Sequence, residues 1–306
     1  MTKQMSLFPD STLKILKTLQ NEDIADLETA SNPVDEVFAA VTRFRSSRDF
    51  MALMRYIARF PNYSAFNGLL LYLQNPSATY VATARTWAQK FRRKPRRDAK
   101  PLVILAPMAP ILFLFDMQDT EGTPVPSSLL RPREADGQLL EKTYTNTVHN
   151  AALHGIAVYE TTLANGETDT ASRSTPALRK KFQDLNLKKD TSYLILIDKT
   201  QNLEDRYASL AYELGHIFCS HLGIDRHAWW PERRDLDISG EEIEADAVAY
   251  LVCSRSGFRA GYGNYLINYS EAHPEIPLIS INAVIQAMGY IEDMGRHRWK
   301  GPKKGR

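Results

Sequence analysis

The chain has 306 residues, of which 43% are hydrophobic and 24% charged, an ordinary balance for a globular protein with one large or two modest cores. The formal net charge of +2 excludes a general attraction to polyanions, so nucleic-acid binding would need a local cluster of charge. Cys219 and Cys253 each lie in an apolar stretch, which favours buried thiols in a reducing cytoplasm over a disulfide. The apolar run from Pro107 to Phe115 is too short to span a bilayer, so we expect a cytoplasmic protein without membrane contact.

The first part of the chain predicts a leader and one domain. Residues 1–33 have weak periodicity and end at Asn32-Pro33, which is typical of a flexible leader. A domain over residues 34–122 follows, with apolar residues at helical spacing in its first segment. Its predicted elements are helices from Val34 to Arg59, Ser64 to Leu73 and Arg85 to Lys90, and strands from Leu102 to Ala106 and Ile111 to Phe115.

A proline-containing linker, residues 123–138, precedes a second predicted domain over residues 139–296 and a basic tail over residues 297–306. The short β-favouring run from Tyr193 to Ile197 predicts a buried strand. The other predicted elements are a helix to His154, a strand from Ile156 to Tyr159, a polar hairpin or loop through Ser174, and helices from Pro176 to Leu185 and Asn202 to Leu222. Both domains together predict an α+β fold, with helices flanking small sheets.

The segment Tyr212-Glu213-Leu214-Gly215-His216 has the spacing of a zinc-peptidase helix, His-Glu-x-x-His, but with a phenol at the first position. Residues four apart share a helix face, so Tyr212 and His216 point the same way. A second acidic helix follows, in which Glu242 and Asp246 are also four apart. This spacing lets Glu242 bind a metal while Asp246 hydrogen-bonds a ligand on the opposing helix.

These two segments resemble the metallopeptidase domain of the ImmA/IrrE-type families over roughly residues 190 to 256. The family pattern is His-Glu-Leu-Gly-His followed by Glu-x-x-Ala-Asn/Asp. The resemblance implies a zinc cofactor with His216 and Glu242 as ligands, Glu213 as the general base and Asp246 as a hydrogen-bonding partner of a ligand. Tyr212 stands at the position of the remaining ligand.

The phenol at position 212 leaves three alternatives. Tyr212 ligates zinc as a phenolate, which needs its pKa lowered from about 10. Another ligand, His221, His227 or Cys219, replaces it, or the site holds no metal. His221 is expected near the opposite face of a continuous helix, which disfavours it, and Cys219 is better placed but reads as a buried thiol.

Several ordered blocks in the first domain resemble the N-terminal domain of ArdC-type antirestriction proteins. That family domain is associated with single-stranded DNA and is commonly fused to a zinc peptidase-like domain. The blocks span about 60 residues and are Tyr63-Ser64-Ala65-Phe66-Asn67-Gly68-Leu69-Leu70-Leu71, Gln74-Asn75-Pro76, Thr86-Trp87, Ile104-Leu105-Ala106-Pro107 and Phe115-Asp116 with Thr120-Glu121-Gly122.

A cluster of basic residues inside this domain, residues 90–100, is called the basic segment. It holds seven cations and one acid, Asp98, and lies beside Trp87 and Phe91. Such a segment could neutralise phosphates while rings stack on unpaired bases, with about 1 to 3 kcal/mol for each stacked base. The residues predicted to bind nucleic acid are Trp87, Lys90, Arg92, Arg93, Lys94, Arg96, Arg97 and Lys100.

Three hypotheses follow from these patterns. The first is a single-stranded-DNA-binding protein of mobile-element or phage (antirestriction) type with a degenerate peptidase-like domain. The second is an active zinc peptidase that cleaves a regulatory protein, with Glu213 as general base. The third is a two-domain adaptor that uses neither DNA nor metal. A regulatory or restriction protein is a further expected partner under the first two.

Overall fold

The computed structural model describes residues 46–106, 109–126, 137–163, 168–224, 233, 236–258 and 264–300. The chain divides into two compact units, Met1–Pro132 and Arg133–Arg306, called unit 1 and unit 2. The predicted leader, the alternative ligand His227 and the end of the predicted basic tail lie outside the described residues. The predicted domain and linker bounds remain predictions.

The described part of unit 1 combines helices with two small antiparallel sheets, of strand order β1-β4-β3 and β2-β5. Its helices are α1 (Ser47–Arg59), α2 (Ala65–Gln74) and α3 (Ala84–Phe91). Its strands are β1 (Val81–Ala82), β2 (Arg93–Pro95), β3 (Leu102–Ala106), β4 (Ala109–Asp116) and β5 (Thr120–Gly122). Each helix begins after a hydroxyl side chain, from Ser46, Ser64 and Thr83, that accepts a hydrogen bond from a first-turn backbone N–H.

The β1-β4-β3 sheet has one buried face and one that is partly open. Leu102, Ile104 and Leu114 point to the buried face and join a core with the helical residues Tyr56 and Leu71. Strand residues alternate between faces, so Leu105 and Phe113 lie on the other side, where they are 43% and 48% exposed. An apolar sheet face in unit 1 is therefore partly open to solvent.

The outer edge of β3 is closed by two side-chain amides of α2. Asn67 donates to the backbone carbonyl of Leu105 at 2.9 Å and accepts from the backbone N–H of Leu105 at 3.0 Å. Gln74 makes the same pair of bonds with Val103, both at 2.8 Å. These bonds satisfy backbone groups that an edge strand otherwise leaves open, and they fix the sheet against the helix.

The two-stranded sheet β2-β5 holds the basic segment in place. Its register pairs Arg93 with Gly122 and Lys94 with Glu121. Arg92 ends α3 in a left-handed conformation with φ of 53°. Gly122 has φ of +135°, and a Cβ there would lie 2.5 Å from the Arg92 carbonyl oxygen, so only glycine fits this close approach.

Unit 2 is built from a three-stranded sheet and a set of helices. Its helices are α4 (Glu141–Leu153), α5 (Pro176–Lys181), α6 (Leu203–Phe218), α7 (Ile238–Ser256), α8 (Asn264–Ala272) and α9 (Ile281–Arg296). Its strands are β6 (Ile156–Thr161), β7 (Thr170–Arg173) and β8 (Tyr193–Asp198). The buried strand β8 lies in the middle, parallel to β6 and antiparallel to β7. The predicted strands at Ile156 and Tyr193 are confirmed.

Residues 170–173 form β7, so they are not a loop, and the strand pairs with β8 instead of forming a hairpin with β6. The prediction of a hairpin or loop through Ser174 is therefore wrong for these residues. Thr170-Ala171-Ser172-Arg173 has little apolar character, so its periodicity gives no strand signal. The strand exists because its backbone pairs with the buried strand β8, for example Ala171 with Ile195. A long-range contact thus decides this element.

The prediction that one helix continues to Leu222 is also wrong. Helix α6 ends at Phe218, and Ser220 takes a left-handed conformation with φ of 71°. The backbone N–H of His221 bonds the His216 carbonyl at 2.9 Å, so the chain turns back over the last helical turn. No glycine or proline marks this end before Gly223, which is why the sequence suggests a longer helix.

The architecture confirms the predicted α+β class, since both units combine helices with small sheets. Among the described residues, no helix is both long enough and apolar enough to cross a membrane.

Candidate functional site

Helices α6 and α7 approach closely and carry the predicted metal-site residues on their facing sides. A Cβ added at Gly215 would lie 3.2 Å from the Cα of Ala245 and 3.3 Å from the Cβ of Val248. The glycine of the motif therefore lets the two backbones come together. The polar side chains along this contact, called the α6–α7 polar cluster, are Tyr212, Glu213, His216, His221, Glu242 and Glu244.

Tyr212 and Glu242 are in direct contact across the two helices. The phenol hydroxyl of Tyr212 donates a hydrogen bond to Oε2 of Glu242. Burial, followed by this bond and the charge of the carboxylate, raises the pKa of Tyr212 above its ordinary value of 10. The phenol is therefore held in its neutral form, the opposite of what phenolate ligation requires.

Glu213, the predicted general base, is a buried carboxyl with 5% of its surface exposed. Burial raises its pKa to about 8, with smaller contributions in the same direction from the charges of Asp169 and Glu242, while a hydrogen bond from the Ala171 backbone lowers it. Because this pKa lies above 7, the neutral acid predominates at neutral pH. In this state Glu213 is a poor base.

His216 forms its hydrogen bond with His221, one of the alternative ligands, and not with Tyr212 or Glu242. Its Nδ1 lies 2.9 Å from Nδ1 of His221, and the other nitrogen of His221, Nε2, lies 3.0 Å from Oε2 of Glu244. The expectation that His221 lies near the opposite helix face is wrong, because the chain reverses after Phe218. Burial and the neighbouring His221 lower the pKa of His216 to about 3, so its ring is neutral.

Glu244 is the centre of a buried charge network. Arg233 forms a bidentate pair with it, at 2.5 Å to Oε2 and 2.7 Å to Oε1, and the backbone N–H of Ser280 donates to Oε1 at 2.5 Å. Its side chain has no exposed surface. The donors of His221 and Arg233 lower the pKa of Glu244 against the opposing effect of burial, so the carboxylate is ionised.

Cys219, His221 and Glu244 form a group that could hold a divalent metal ion, since each offers one ligand atom within 4.8 Å of the others. Two features oppose an ion there. The guanidinium of Arg233 already compensates the carboxylate, and burial raises the pKa of the Cys219 thiol well above its ordinary value. A metal ion at this group would have to displace the arginine and deprotonate a fully buried thiol.

The residues predicted to hold zinc do not fit a catalytic zinc ion. Such an ion takes three protein ligands from imidazole, thiolate or carboxylate groups and leaves one open position. Of the predicted set, only His216 and Glu242 are ligands of this kind, and the Glu242 carboxylate is bonded to the neutral phenol of Tyr212. Asp246, the predicted partner of a ligand, accepts a hydrogen bond from the Leu266 backbone at 2.8 Å.

In unit 1, Trp87 does not have the exposure that base stacking requires. Its side chain is fully buried, its Nε1 donates to the Phe115 carbonyl at 2.9 Å, and its ring packs against Tyr80 and Phe91. The prediction that Trp87 stacks on a base is therefore corrected to a core role. Its neighbour Phe91 is half-buried in the same cluster.

Three of the predicted DNA-binding cations are used within the protein. Arg93 donates to the Thr120 hydroxyl, the Thr120 carbonyl and the Thr123 carbonyl at 2.9, 2.6 and 2.6 Å. Lys94 pairs with Glu121 at 3.3 Å, and Arg96 pairs with Asp119 at 3.4 Å. Arg93 stabilises the β2-β5 sheet, while the other two pairs are exposed and easily exchanged for phosphate.

The other four cations of the basic segment are exposed, and the structure shows no carboxylate partner for them among the described residues. They are Lys90, Arg92, Arg97 and Lys100. They lie on the last turn of α3 and on the loop between β2 and β3. Sequence reasoning also missed Phe113, whose exposed ring on β4 is visible only once the open face of the sheet is known.

Comparisons with known proteins give distant structural likenesses. No protein-family model and no curated protein matches the sequence. A metal-free crystal structure of the antirestriction protein ArdC from the R388 plasmid is similar, with 13% identity and a TM-score of 0.36 over 76% of this chain and 82% of that one. The Mn(II)-bound structure of the same protein gives 13% identity and a TM-score of 0.38 over 94% and 97%. At this identity and these TM-scores, the likenesses assign neither a family nor a function to this chain.

Proposed function

We propose that this chain is a single-stranded-DNA-binding protein of the mobile-element, antirestriction type, with a degenerate peptidase-like domain in unit 2. The observation that supports this proposal best is the set of exposed cations without carboxylate partners among the described residues, Lys90, Arg92, Arg97 and Lys100. Exposed cations on a short segment can bind the phosphate backbone of a nucleic acid, because each contact with a phosphate releases a counterion. Such contacts carry no base information, so binding is expected to be independent of sequence.

The open face of the β1-β4-β3 sheet supplies an aromatic ring in the same unit. Phe113 is 48% exposed, and Leu105, which strand alternation places on the same face, is 43% exposed. Unpaired bases can stack on exposed rings whatever their sequence, which duplex bases cannot do. This favours single strands over duplex DNA, and it assigns to Phe113 the stacking role that the sequence suggested for Trp87.

The proposal treats unit 2 as a domain without zinc-dependent catalysis. The direct bond between Tyr212 and Glu242 and the protonated state of Glu213 both argue for this interpretation. The domain then serves as an interaction module, and a restriction or regulatory protein is the class of partner that the antirestriction type would require. Metal analysis of the purified protein checks this part. Metal-free protein with an intact fold is expected, whereas near-stoichiometric zinc that is lost in Glu242→Ala would contradict this part and favour the peptidase alternative.

Titration of a labelled single strand at several salt concentrations tests DNA binding. The affinity should fall steeply with salt, and a flat response would overturn the proposal. Changing the four cations Lys90, Arg92, Arg97 and Lys100 to alanine should weaken binding on the order of a hundredfold at about 0.15 M salt and lower the salt slope by about 3. The matched control removes the same charge from exposed lysines of unit 2, Lys180, Lys181, Lys188 and Lys189. If both variants lose affinity equally, the basic segment is not the binding site.

A further inference from the structure

The strand β6 lies at one edge of the three-stranded sheet of unit 2, and the direction of its backbone groups follows from its pairing with β8. The backbone N–H of Tyr193 bonds the Gly155 carbonyl at 3.2 Å, and that of Lys199 bonds the Thr161 carbonyl at 3.0 Å. In a parallel pair, alternate residues direct their N–H and C=O groups to the same side. Every second residue from Gly155 to Thr161 therefore faces β8. The residues whose backbone groups face away from β8 are Ile156, Val158 and Glu160.

This outer side of β6, called the β6 edge, has no hydrogen-bond partner for its backbone groups among the described residues. Other sheet edges are partly covered: side chains of α2 close the edge of β3, and the Glu213 carboxylate accepts a hydrogen bond from the Ala171 backbone on β7. The sequence of β6 contains no lysine or proline, which are residues that commonly protect an edge strand. The β6 edge can therefore pair with an added strand.

The segment from α5 to the start of β8 lies against β6 at two points. The Tyr159 hydroxyl donates to the Leu185 carbonyl at 2.5 Å, and a Cβ added at Gly155 would lie 2.7 Å from the Asp190 carbonyl oxygen. The guanidinium of Arg179 holds the segment together, since it donates to the Lys188 carbonyl at 2.9 Å and the Thr191 carbonyl at 2.6 Å. The exposed lysines of this segment, called the lysine group, are Lys180, Lys181, Lys188 and Lys189.

The charge beside the β6 edge is positive. The ion pairs among the described residues include no member of the lysine group. Asp184 and Asp190 are the acids of the same segment, so the lysines outnumber them. Glu160, the acid on the β6 edge, pairs with Arg206 at 2.6 Å, and its charge is compensated. Electrostatic complementarity therefore favours an acidic partner.

We propose that the β6 edge and the lysine group bind an extended, acidic segment of a partner protein, which adds a strand beside β6. Backbone hydrogen bonds to Ile156, Val158 and Glu160 hold the segment, as in other cases of strand addition. Side chains alternate between the two faces of a strand, so acids at every second position lie on the face of Tyr159, beside the lysines. The inference rests on the proposed role of unit 2 as an interaction module and names the chemistry of its partner.

Hydrogen exchange of the unmodified protein, followed by NMR, tests the proposal with a peptide in which glutamate and valine alternate. Without peptide, the amides of Val158 and Glu160 should exchange quickly and those of Ala157 and Tyr159 slowly. The peptide should bind saturably and slow exchange at Val158 and Glu160. The same peptide with methylated backbone amides keeps its charge but cannot donate, so it should bind about tenfold more weakly.

Absence of peptide binding, equal affinity of the methylated peptide, or unchanged exchange at Val158 and Glu160 would overturn the proposal. Protection of these two amides that grows with protein concentration in the absence of peptide would assign the edge to a second copy of the chain. That outcome would also overturn the proposal.

Two variants test the edge and the charge separately. Val158→Pro removes an outward N–H and no bond to β8, so the fold should persist and the affinity for the peptide should fall about tenfold. Alanine at all four positions of the lysine group should lower this affinity about tenfold and reduce its salt dependence. Retained affinity in Val158→Pro would contradict strand addition. If that variant does not fold, the comparison of the two peptides on the wild-type protein decides.

The same variants distinguish this inference from the proposed DNA binding. The variant of the lysine group should keep its affinity for single strands, and the variant of the basic segment, with alanine at Lys90, Arg92, Arg97 and Lys100, should keep its affinity for the peptide. Peptide binding without single-strand binding would refute the DNA proposal and support the β6 edge. Single-strand binding without peptide binding would do the reverse.

Discussion

The α6–α7 polar cluster and the basic segment contain similar numbers of charged or polar groups. They differ in whether those groups form hydrogen bonds and ion pairs within the protein or stay exposed to solvent. Between α6 and α7 the groups bond one another: Tyr212 to Glu242, and His216 through His221 to Glu244 and Arg233. In the basic segment, Arg92 and three other exposed cations have no carboxylate partner among the described residues. Groups that are satisfied internally stabilise a fold, whereas exposed charge is available to a ligand. The comparison therefore supports the proposal that unit 1 binds the ligand, whereas the polar groups between α6 and α7 bond one another within unit 2.

The largest expected effect tests whether the α6–α7 polar cluster is architectural. Arg233→Ala leaves the Glu244 carboxylate buried without its bidentate partner. Loss of one member of a buried pair costs about 3 to 5 kcal/mol, and we expect a loss of this size in the free energy of unfolding, measured by urea denaturation. The control is Arg296→Ala, which removes an exposed partner of Glu292 and should cost less than about 1 kcal/mol. Equal losses of stability in the two variants would show that the buried pair contributes no more to the fold than an exposed ion pair does.

The next effect concerns Glu213 and pH. An unfolded glutamate loses its proton near 4.5, whereas the folded carboxyl keeps it up to about 8, so the unfolded chain binds fewer protons between these values. Stability should therefore be full at low pH and fall as pH rises through this window, by about 3 kcal/mol between pH 5 and pH 8. In Glu213→Gln this contribution should vanish. Denaturation of both proteins at several pH values checks it, and an identical pH slope in the variant would contradict the burial argument.

The third prediction is that one substitution enables the α6–α7 polar cluster to bind zinc. Tyr212→His places a second imidazole one turn before His216 and opposite Glu242, which completes a three-ligand set. We expect this variant to gain zinc binding, with about 2.7 kcal/mol of added stability at a hundredfold excess of zinc over its dissociation constant. The wild-type protein should show no such gain, and the double variant Tyr212→His with Glu242→Ala should lose it. Stabilisation of the wild type by zinc would contradict the comparison.

The smallest predicted effect tests whether Phe113 of unit 1 stacks on unpaired bases. Phe113→Ala removes an exposed ring and should lower single-strand affinity about tenfold, since each stacked base contributes on the order of 1 to 3 kcal/mol. Its effect on duplex DNA should be smaller, because paired bases cannot reach the ring. Leu278→Ala, at an exposed apolar position of unit 2, is the matched control. Unchanged single-strand affinity in Phe113→Ala would exclude the open sheet face as a stacking surface.

Local signals in the sequence are sufficient to predict several structural elements. The run Tyr193 to Ile197 predicts a buried strand because it is short, apolar and β-favouring, and Asn202 marks the start of α6, where its side chain accepts from the Asp205 backbone. Both of these features depend on neighbours in sequence or on one periodicity. The closeness of Tyr212 and Glu242 was implied only by the resemblance to a two-helix metal site, and their direct hydrogen bond was not predicted.

Features that depend on distant contacts could not be predicted from the sequence. Nothing in the sequence distinguishes Arg93 from the other cations of the basic segment. In the structure, its guanidinium donates a hydrogen bond to the hydroxyl of Thr120, which is 27 positions away. The sequence contains no glycine or proline between Phe218 and Gly223 that marks the end of α6, so His221 is predicted to lie on the opposite helix face. In the structure, the left-handed turn at Ser220 brings His221 back to His216. The burial of Trp87 likewise depends on β4, whose Phe115 carbonyl it bonds.

The close approach of Gly122 to the Arg92 carbonyl has a consequence for recognition. Together with the three bonds of Arg93, it fixes the chain path between the exposed cations, so their spacing is established when the protein folds. A ligand that meets such a preorganised array has less conformational entropy left to lose on association. Any side chain at position 122 would therefore scatter the array without removing a single charge, and affinity would fall although the electrostatic attraction is intact.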